Sequence, residues 1–486
     1  MKRHTFLSKL SYASGTVSFA VKDIAFGSFV LFYYTSVVGL DAALAGLVIL
    51  ISMIWDAVTD PIVGSLSDNY RSKWGRRHPF MAISGIPLAM SLFALFVVPE
   101  GLGQMQIFSW MLIVCLFLRT FLTLYTVPYL ALGAELSEDY DERSSITGIR
   151  TLLGWLAAIF LATAAWYVIF NSEGGVDGRF VRENYFTLGL VSFLIIAIFT
   201  TISTLTTAKH IPDLPSGGEG QSFSIRKIYA DIVHAMENKN FLNLFLVLLT
   251  LGVGVGVGSA LGTHMGTFFW ELTTQQIAFQ SAFTLLPIIF MMFAMKPLNK
   301  RLEKDVVVKI CTFIFAANTF WLISLRLLGV LPENGHPIIF PLILLGAFIG
   351  SATVIWFQTI TSSIIADIGD EQELLTHERQ EGVFFAAQGF SIKFVTGIGG
   401  FVGGLVLKFV ELPADARPGE VDPAILFKMG LVMGPVMTIF MAIPFLLSRN
   451  ILLSKERHEE VRMALQTRYT AAQSKSDSKD STHPQN

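Results

Sequence analysis

The sequence predicts an all-α polytopic membrane protein with twelve transmembrane helices in two six-helix halves. Three observations predict it. Of 486 residues, 52% are hydrophobic and only 15% charged, with a mean hydropathy of +0.58, whereas an average soluble protein carries about 25% charged residues. Twelve apolar stretches reach the roughly 20 residues that a hydrocarbon core about 30 Å thick demands. The longest polar insert falls between the sixth and seventh, leaving six stretches on each side.

In chain order the stretches lie near 11–37, 42–68, 79–99, 105–133, 145–170, 184–207, 240–270, 274–297, 306–330, 337–366, 380–410 and 422–447. Several are long enough to tilt or to run into the interface. The insert KHIPDLPSGGEGQSFSIRKIYADIVHAMENKN begins with the Pro, Gly and Ser of a linker. It continues in an amphipathic piece, about Ser224 to Met236, suited to lying along the membrane surface. The chain therefore divides into an N-terminal half (1–208), a cytoplasmic linker (209–239), a C-terminal half (240–447) and a tail (448–486). The tail reads as a polar helix that gives way to Ser, Lys and Asp with nothing to bury.

Lys and Arg gather in alternate connections: Lys2 and Arg3, then Arg71, Lys73, Arg76 and Arg77, then Lys209, Arg226 and Lys227, then Lys296, Lys300, Arg301 and Lys304. The opposite loops PEGLGQ and ELPADARPGEVD are poorer in basic residues, although Arg179 and Arg182 dilute the contrast. By the positive-inside rule both termini are expected in the cytoplasm, in a multi-pass protein of the cell inner (plasma) membrane.

Other features exclude function classes. A net charge of −2 gives no footprint for nucleic acid. Cys115 and Cys311 stand alone in separate apolar runs and read as buried thiols. The N-terminus MKRHTFLSKLSYASG has no small-residue cleavage site after a short apolar core, so the first stretch is expected to stay in the mature protein. No nucleophile–base constellation or metal-ligand cluster appears, which argues against an enzyme. GVGVGVG (252–258) follows no soluble strand, so it reads as a helix-packing surface rather than a nucleotide loop, as does GIGGFVGG (397–404). His264, without a partner in view, reads as an ordinary buried histidine.

The chemistry concentrates in WDAVTDP. Asp56 and Asp60 are one helical turn apart and share a face. A carboxylate at the centre of a membrane helix costs about 2.5–3.5 kcal/mol on insertion scales, so a pair calls for a cation, a proton or a basic partner. Lys22 and Asp23 in the first stretch are a second charged element, either snorkelling to the interface or facing the same cavity.

The six-plus-six arrangement with a central linker fits the major facilitator architecture, whose solute site lies near the midplane between the halves. The segments KDIAFGSFVLFYYTSVVGL, WDAVTDPIVG and RSKWGRRHPF resemble the glycoside-pentoside-hexuronide:cation symporter family. So do TLYTVPYLALGAELSEDYDERSSITGIR and IIADIGDEQELLTHERQEGVFFAAQGFSIKF, which place the likeness in both halves.

The resemblance implies a symporter that imports a sugar, glycoside or related small polar solute with sodium or protons by alternating access, with no other cofactor. It implies that Asp56 and Asp60 bind the cation, as a Na+ candidate site, with Thr123 beside them. Asp23, Lys22, Thr126, Arg150, Lys393 and an aromatic such as Trp356 are the expected solute residues. Trp270 and Phe385 are further aromatic candidates. Arg76 and Arg77 of the RSKWGRRHP loop are expected to pair with Asp141 and Glu142 as an inner gate. Thr126 and Leu130 stand where the galactoside-transporting pattern has a carboxylate and a Trp, which opens an alternative: a lysolipid or other amphipathic solute. A non-transporting membrane sensor is a further alternative, although neither linker nor tail is long enough for a signalling domain. The expected partners are the solute, the coupling cation and the bilayer, with no nucleic acid, and the chain is expected to work as a monomer.

Overall fold

A computed structural model describes residues 5–137, 139–172, 175–214, 236–376, 381–451 and parts of 459–470. The expected amphipathic piece at 224–236 lies almost wholly outside the described residues. Every regular element among them is helical, and twelve are long and apolar enough to cross a membrane. They are α1 (Phe6–Ser36), α2 (Ala42–Asn69), α3 (His78–Leu95), α4 (Gln104–Glu135), α5 (Asp141–Ile169), α6 (Arg182–Pro212), α7 (Lys239–Phe269), α8 (Thr274–Arg301), α9 (Lys304–Leu327), α10 (Ile339–Thr376), α11 (Glu381–Val410) and α12 (Pro423–Ser448).

Local chemistry sets the ends. Asp41 caps α2 by accepting from the Ala43 and Leu44 amides at 3.0 and 3.1 Å, and Asp139 caps α5 through the Glu142 amide at 2.8 Å. Thr273 and Gln276 form a reciprocal capping box at the start of α8. Asp422 with Pro423 starts α12, where the missing proline N–H costs nothing. Two boundaries differ from expectation. Thr5 caps α1 so that it begins at Phe6 rather than near 11. Helix α10 continues about ten residues past the expected end at 366, because DIGDEQELLT is rich in helix formers and free of proline.

The packing repeats itself with a six-helix offset. In the first half α1 packs on α5 and α6, α2 on α4, and α3 on α4 and α6. In the second half α7 packs on α11 and α12, α8 on α10, and α9 on α10 and α12. The halves meet where α2 crosses α11, α5 crosses α8, and α1 meets α7. Helix α11 supplies the closest approach through GIGGFVGG. A Cβ on Gly404 would stand 2.2 Å from the Ala42 carbonyl oxygen, and one on Gly399 would stand 2.5 Å from the Gly256 backbone. The glycine runs therefore act as packing surfaces, as their spacing predicts.

Contacts between the halves cluster at the end away from the N-terminus. Thr263 donates to the Ser28 carbonyl at 2.6 Å, Thr35 Oγ1 and His264 Nε2 lie 3.0 Å apart, and Lys408 pairs with Asp41 at 3.1 Å. Buried Arg179 donates to Thr267 Oγ1 at 2.9 Å and to the Leu272 carbonyl at 3.0 Å, while Arg417 stands over the Phe180 ring at 4.2 Å. That end is closed. Inside it lies a cavity of about 560 Å³, walled by Phe26 and Ile49 from one half and by Phe357, Gln358, Thr361 and Ser391 from the other.

Candidate cation and solute site

Helices α2 and α4 are stitched side by side by polar groups in an otherwise apolar contact. Trp55 Nε1 donates to Thr120 Oγ1 at 2.9 Å. One turn on, Thr123 Oγ1 lies 3.0 Å from Asp56 Oδ1 and 2.9 Å from Asp60 Oδ1. A hydroxyl carries a single proton, so it can satisfy only one of these carboxylates at a time. Both carboxylates also receive Lys393 from α11 of the opposite half, with Nζ 2.8 Å from Asp56 Oδ2 and in contact with Asp60 Oδ2. Asp56 is 2% exposed and Thr123 fully buried.

Proline adds further acceptors. Pro61 and Pro128 lie inside α2 and α4, and each lacks the amide that would pair four residues back. The carbonyls of Ala57 and Leu124, next in sequence to Asp56 and Thr123, thus lose their helical amide partners. The two carboxylates and the Thr123 hydroxyl are hard oxygen donors, of the kind that suits a small hard cation. A proton is the alternative occupant of the same carboxylate pair.

Asp56, Asp60, Thr123 and Lys393 are brought together as expected, but the other expected residues are not all part of the cluster. Lys22 is buried and pairs with its neighbour Asp23, whose side chain is mostly exposed. Arg150 interacts with the Tyr12 and Tyr129 hydroxyls rather than with the acidic pair. Thr126 gives its hydroxyl proton to the Leu122 carbonyl at 2.7 Å. Trp356 donates to Asn299 Oδ1 at 2.8 Å and is not among the residues that wall the cavity. Trp270 packs on Phe269, near the Arg326 guanidinium. The side chain of Phe385 lies outside the described residues.

The expected inner gate is also rearranged. Arg76 and Arg77 both bind Glu135 at 2.8 Å, and Arg77 also holds Asp68 and the Ser67 hydroxyl. Glu142 faces Lys9 at 3.4 Å and Ser137 at 2.8 Å, and Asp141 is exposed. Glu135 closes the last turn of α4 and so lies nearer the loop than either acid of α5. These pairs bind helices within one half and do not bridge the two.

Sequence reasoning passed over one residue of the site. Arg119 lies on α4 one turn before Thr123, is 2% exposed, and stands 4.6 Å from the centre of the Phe26 ring. The signal was a lone arginine in the apolar run CLFLRTFL, which the cost of intramembrane charge singles out.

Twelve membrane helices, a packing pattern repeated after six helices and a charged cluster across the seam define a membrane transporter. The chain belongs to the family described as MFS/sugar transport protein, which matches residues 11–451. An uncharacterized symporter, sll1374, of Synechocystis is 23% identical, covering 95% of this chain and 97% of that one. The isoprimeverose transporter of Lactiplantibacillus pentosus is 22% identical over 78% of this chain and 75% of its own. A sodium-dependent lysophosphatidylcholine symporter of Gallus gallus is 32% identical over a shorter part, 34% of this chain and 30% of that protein. The crystal structure of the nucleoside transporter NupG superposes with a TM-score of 0.59 at 17% identity, covering 92% of this chain and 98% of that one. That likeness extends to the fold.

Proposed function

We propose that the protein is a cation-coupled symporter that imports a sugar, glycoside or related small polar solute. The observation that carries this reading is Lys393 of one half bound to Asp56 and Asp60 of the other. Lys393 stands in for a cation across the seam between the halves. A sodium ion or proton taken up by Asp56, Asp60 and Thr123 competes with Lys393 for the same oxygens, so cation binding loosens the tie between the halves. Solute binding and cation binding then bias one equilibrium, and each raises affinity for the other. Relatives with symporter names support coupling. The basic connections support a reading in which both termini lie on the cytoplasmic side of the cell inner (plasma) membrane.

A second reading, an amphipathic solute such as a lysolipid, is favoured by the cavity itself, whose walls include Leu248, Leu251, Val255 and Val354. The relative named as a lysophosphatidylcholine symporter supports the same class. Both readings are tested by a solute screen in proteoliposomes, with glycosides, pentosides, uronides and lysolipids offered under imposed sodium and proton gradients. Accumulation of one class under one gradient is the expected result. Gradient-independent equilibration of every solute moved would overturn coupling.

A further inference from the structure

Arg119 is held in a way that the cation site does not explain. The residue is 2% exposed, and two of its side-chain nitrogens, Nε and Nη2, have no hydrogen-bond acceptor among the described residues. The Phe26 ring 4.6 Å away offers the charge a π face but offers the N–H groups no lone pair. A buried cation with unmet donors is costly, so in some state of the protein an acceptor must reach it.

The identity of the two idle donors says what that acceptor is. Nε and Nη2 form the side-on edge of the guanidinium, two parallel N–H groups matched to the two oxygens of a carboxylate or phosphate. This chain turns the same edge on a carboxylate twice: Arg179 reaches both oxygens of Asp177, and Arg77 closes on one oxygen of Glu135. At Arg119 the edge is free. Asp56 is near enough to feel the charge, but its oxygens are engaged by Thr123 and Lys393. Phe26 meanwhile is a wall of the cavity, so Arg119 stands one aromatic ring behind the space open to solute.

Charge balance points the same way. Asp56 and Asp60 are matched by Lys393 and Arg119, and Asp23 by Lys22, so the seam is neutral without a coupling ion. One sodium ion or one proton leaves it with a single unmatched positive charge, in surroundings that tolerate none.

We propose that Arg119 selects a solute bearing one negatively charged oxyanion, a carboxylate or a phosphate, and that Phe26 turns aside to admit it. This rests on the cation-coupled reading above and narrows its substrate class. The oxyanion can come from a uronide or from a lysolipid headgroup, and the test separates the two.

Purified protein in proteoliposomes is offered two matched pairs: methyl β-D-glucuronide against methyl β-D-glucoside, and a lysophosphatidic acid against the monoacylglycerol of the same chain. Uptake is measured under sodium and proton gradients, and binding by ligand-induced thermal shift with and without the cation. The expected result is at least a 10-fold preference for the charged member of one pair, with binding of that member strengthened by the cation. Which pair responds identifies the source. Arg119→Gln abolishes the preference, and Arg119→Lys, which keeps charge without the fork, lowers it about 3-fold and leaves part of it. Transport of a neutral member as well as its charged partner, or an unchanged preference in Arg119→Gln, overturns the proposal while leaving the symporter standing. If neither charged member is moved or bound under either gradient, this proposal fails, and the coupled reading is decided separately by the wider solute screen. The wild-type ratio decides the matter even if a variant does not fold.

Discussion

Thr123→Val isolates the contribution of one hydroxyl to the cation site. Valine matches threonine in shape, so at a fully buried position it opens no cavity, and what is lost is polar. The Thr123 hydroxyl lies within 3.0 Å of both Asp56 Oδ1 and Asp60 Oδ1, but its single proton allows one charge-assisted hydrogen bond at a time, worth about 1.5–3 kcal/mol. In the cation-bound state the same oxygen is a ligand to a full charge, so its loss costs that state more than the cation-free one, by a net of about 1.5–3 kcal/mol. At about 1.4 kcal/mol per decade, the cation concentration for half-maximal uptake should rise about 10- to 100-fold. The assay is solute uptake into proteoliposomes against sodium or proton concentration, with size-exclusion profiles confirming that the variant folds. An unchanged half-saturation in a folded variant would refute the assignment of Thr123 to the site.

Three further outcomes follow from the geometry. Gly404→Val should disfavour the closed end by about 1–3 kcal/mol, because its Cβ would stand 2.2 Å from the Ala42 carbonyl oxygen. A cysteine placed at Ile49 in the cavity wall should then label faster with an impermeant thiol reagent from that side. Burial raises the Asp41 carboxyl, but the Lys408 ammonium and the Leu44 and Ala43 amides outweigh it and hold the carboxyl below its ordinary value. A lowered carboxylate contributes to closure above its free value of about 4, and the contribution is lost as pH falls through the lowered value. Labelling of the Ile49 cysteine should therefore rise at low pH, and Lys408→Met should remove the pH dependence. Trp356→Phe loses one hydrogen bond to Asn299, about 1 kcal/mol, and leaves the solute concentration for half-maximal uptake within about 2-fold. A larger shift would return Trp356 to the solute site.

The membrane architecture was legible because apolar runs of spanning length have no alternative in water, and the two aspartates were legible because intramembrane charge is costly. Thr123 and Lys393 came from resemblance, since no spacing rule links positions 67 or 333 residues away from an aspartate. Arg119 in CLFLRTFL is legible by the same cost argument as the aspartates. The loop arginines meet Glu135 rather than Asp141 or Glu142, a difference illegible in sequence because Glu135 and Glu142 lie about two turns apart, on either side of a helix boundary that hydropathy places only to within a few residues. Trp356 could not be sorted by sequence, since an aromatic that packs and one that binds solute share the same hydropathy. The extension of α10 was missed because an acidic run reads as a loop, whereas a helix leaving the membrane can carry its charges into water.

The central claim is that Asp56 and Asp60 couple a cation to solute movement. Its most direct test compares cation-driven accumulation in wild type, Asp56→Asn and Asp60→Asn, reconstituted at equal levels with intact folding verified. The account predicts that each substitution abolishes cation-stimulated uptake while the protein stays inserted. Cation-stimulated accumulation at wild-type level in both variants would contradict it.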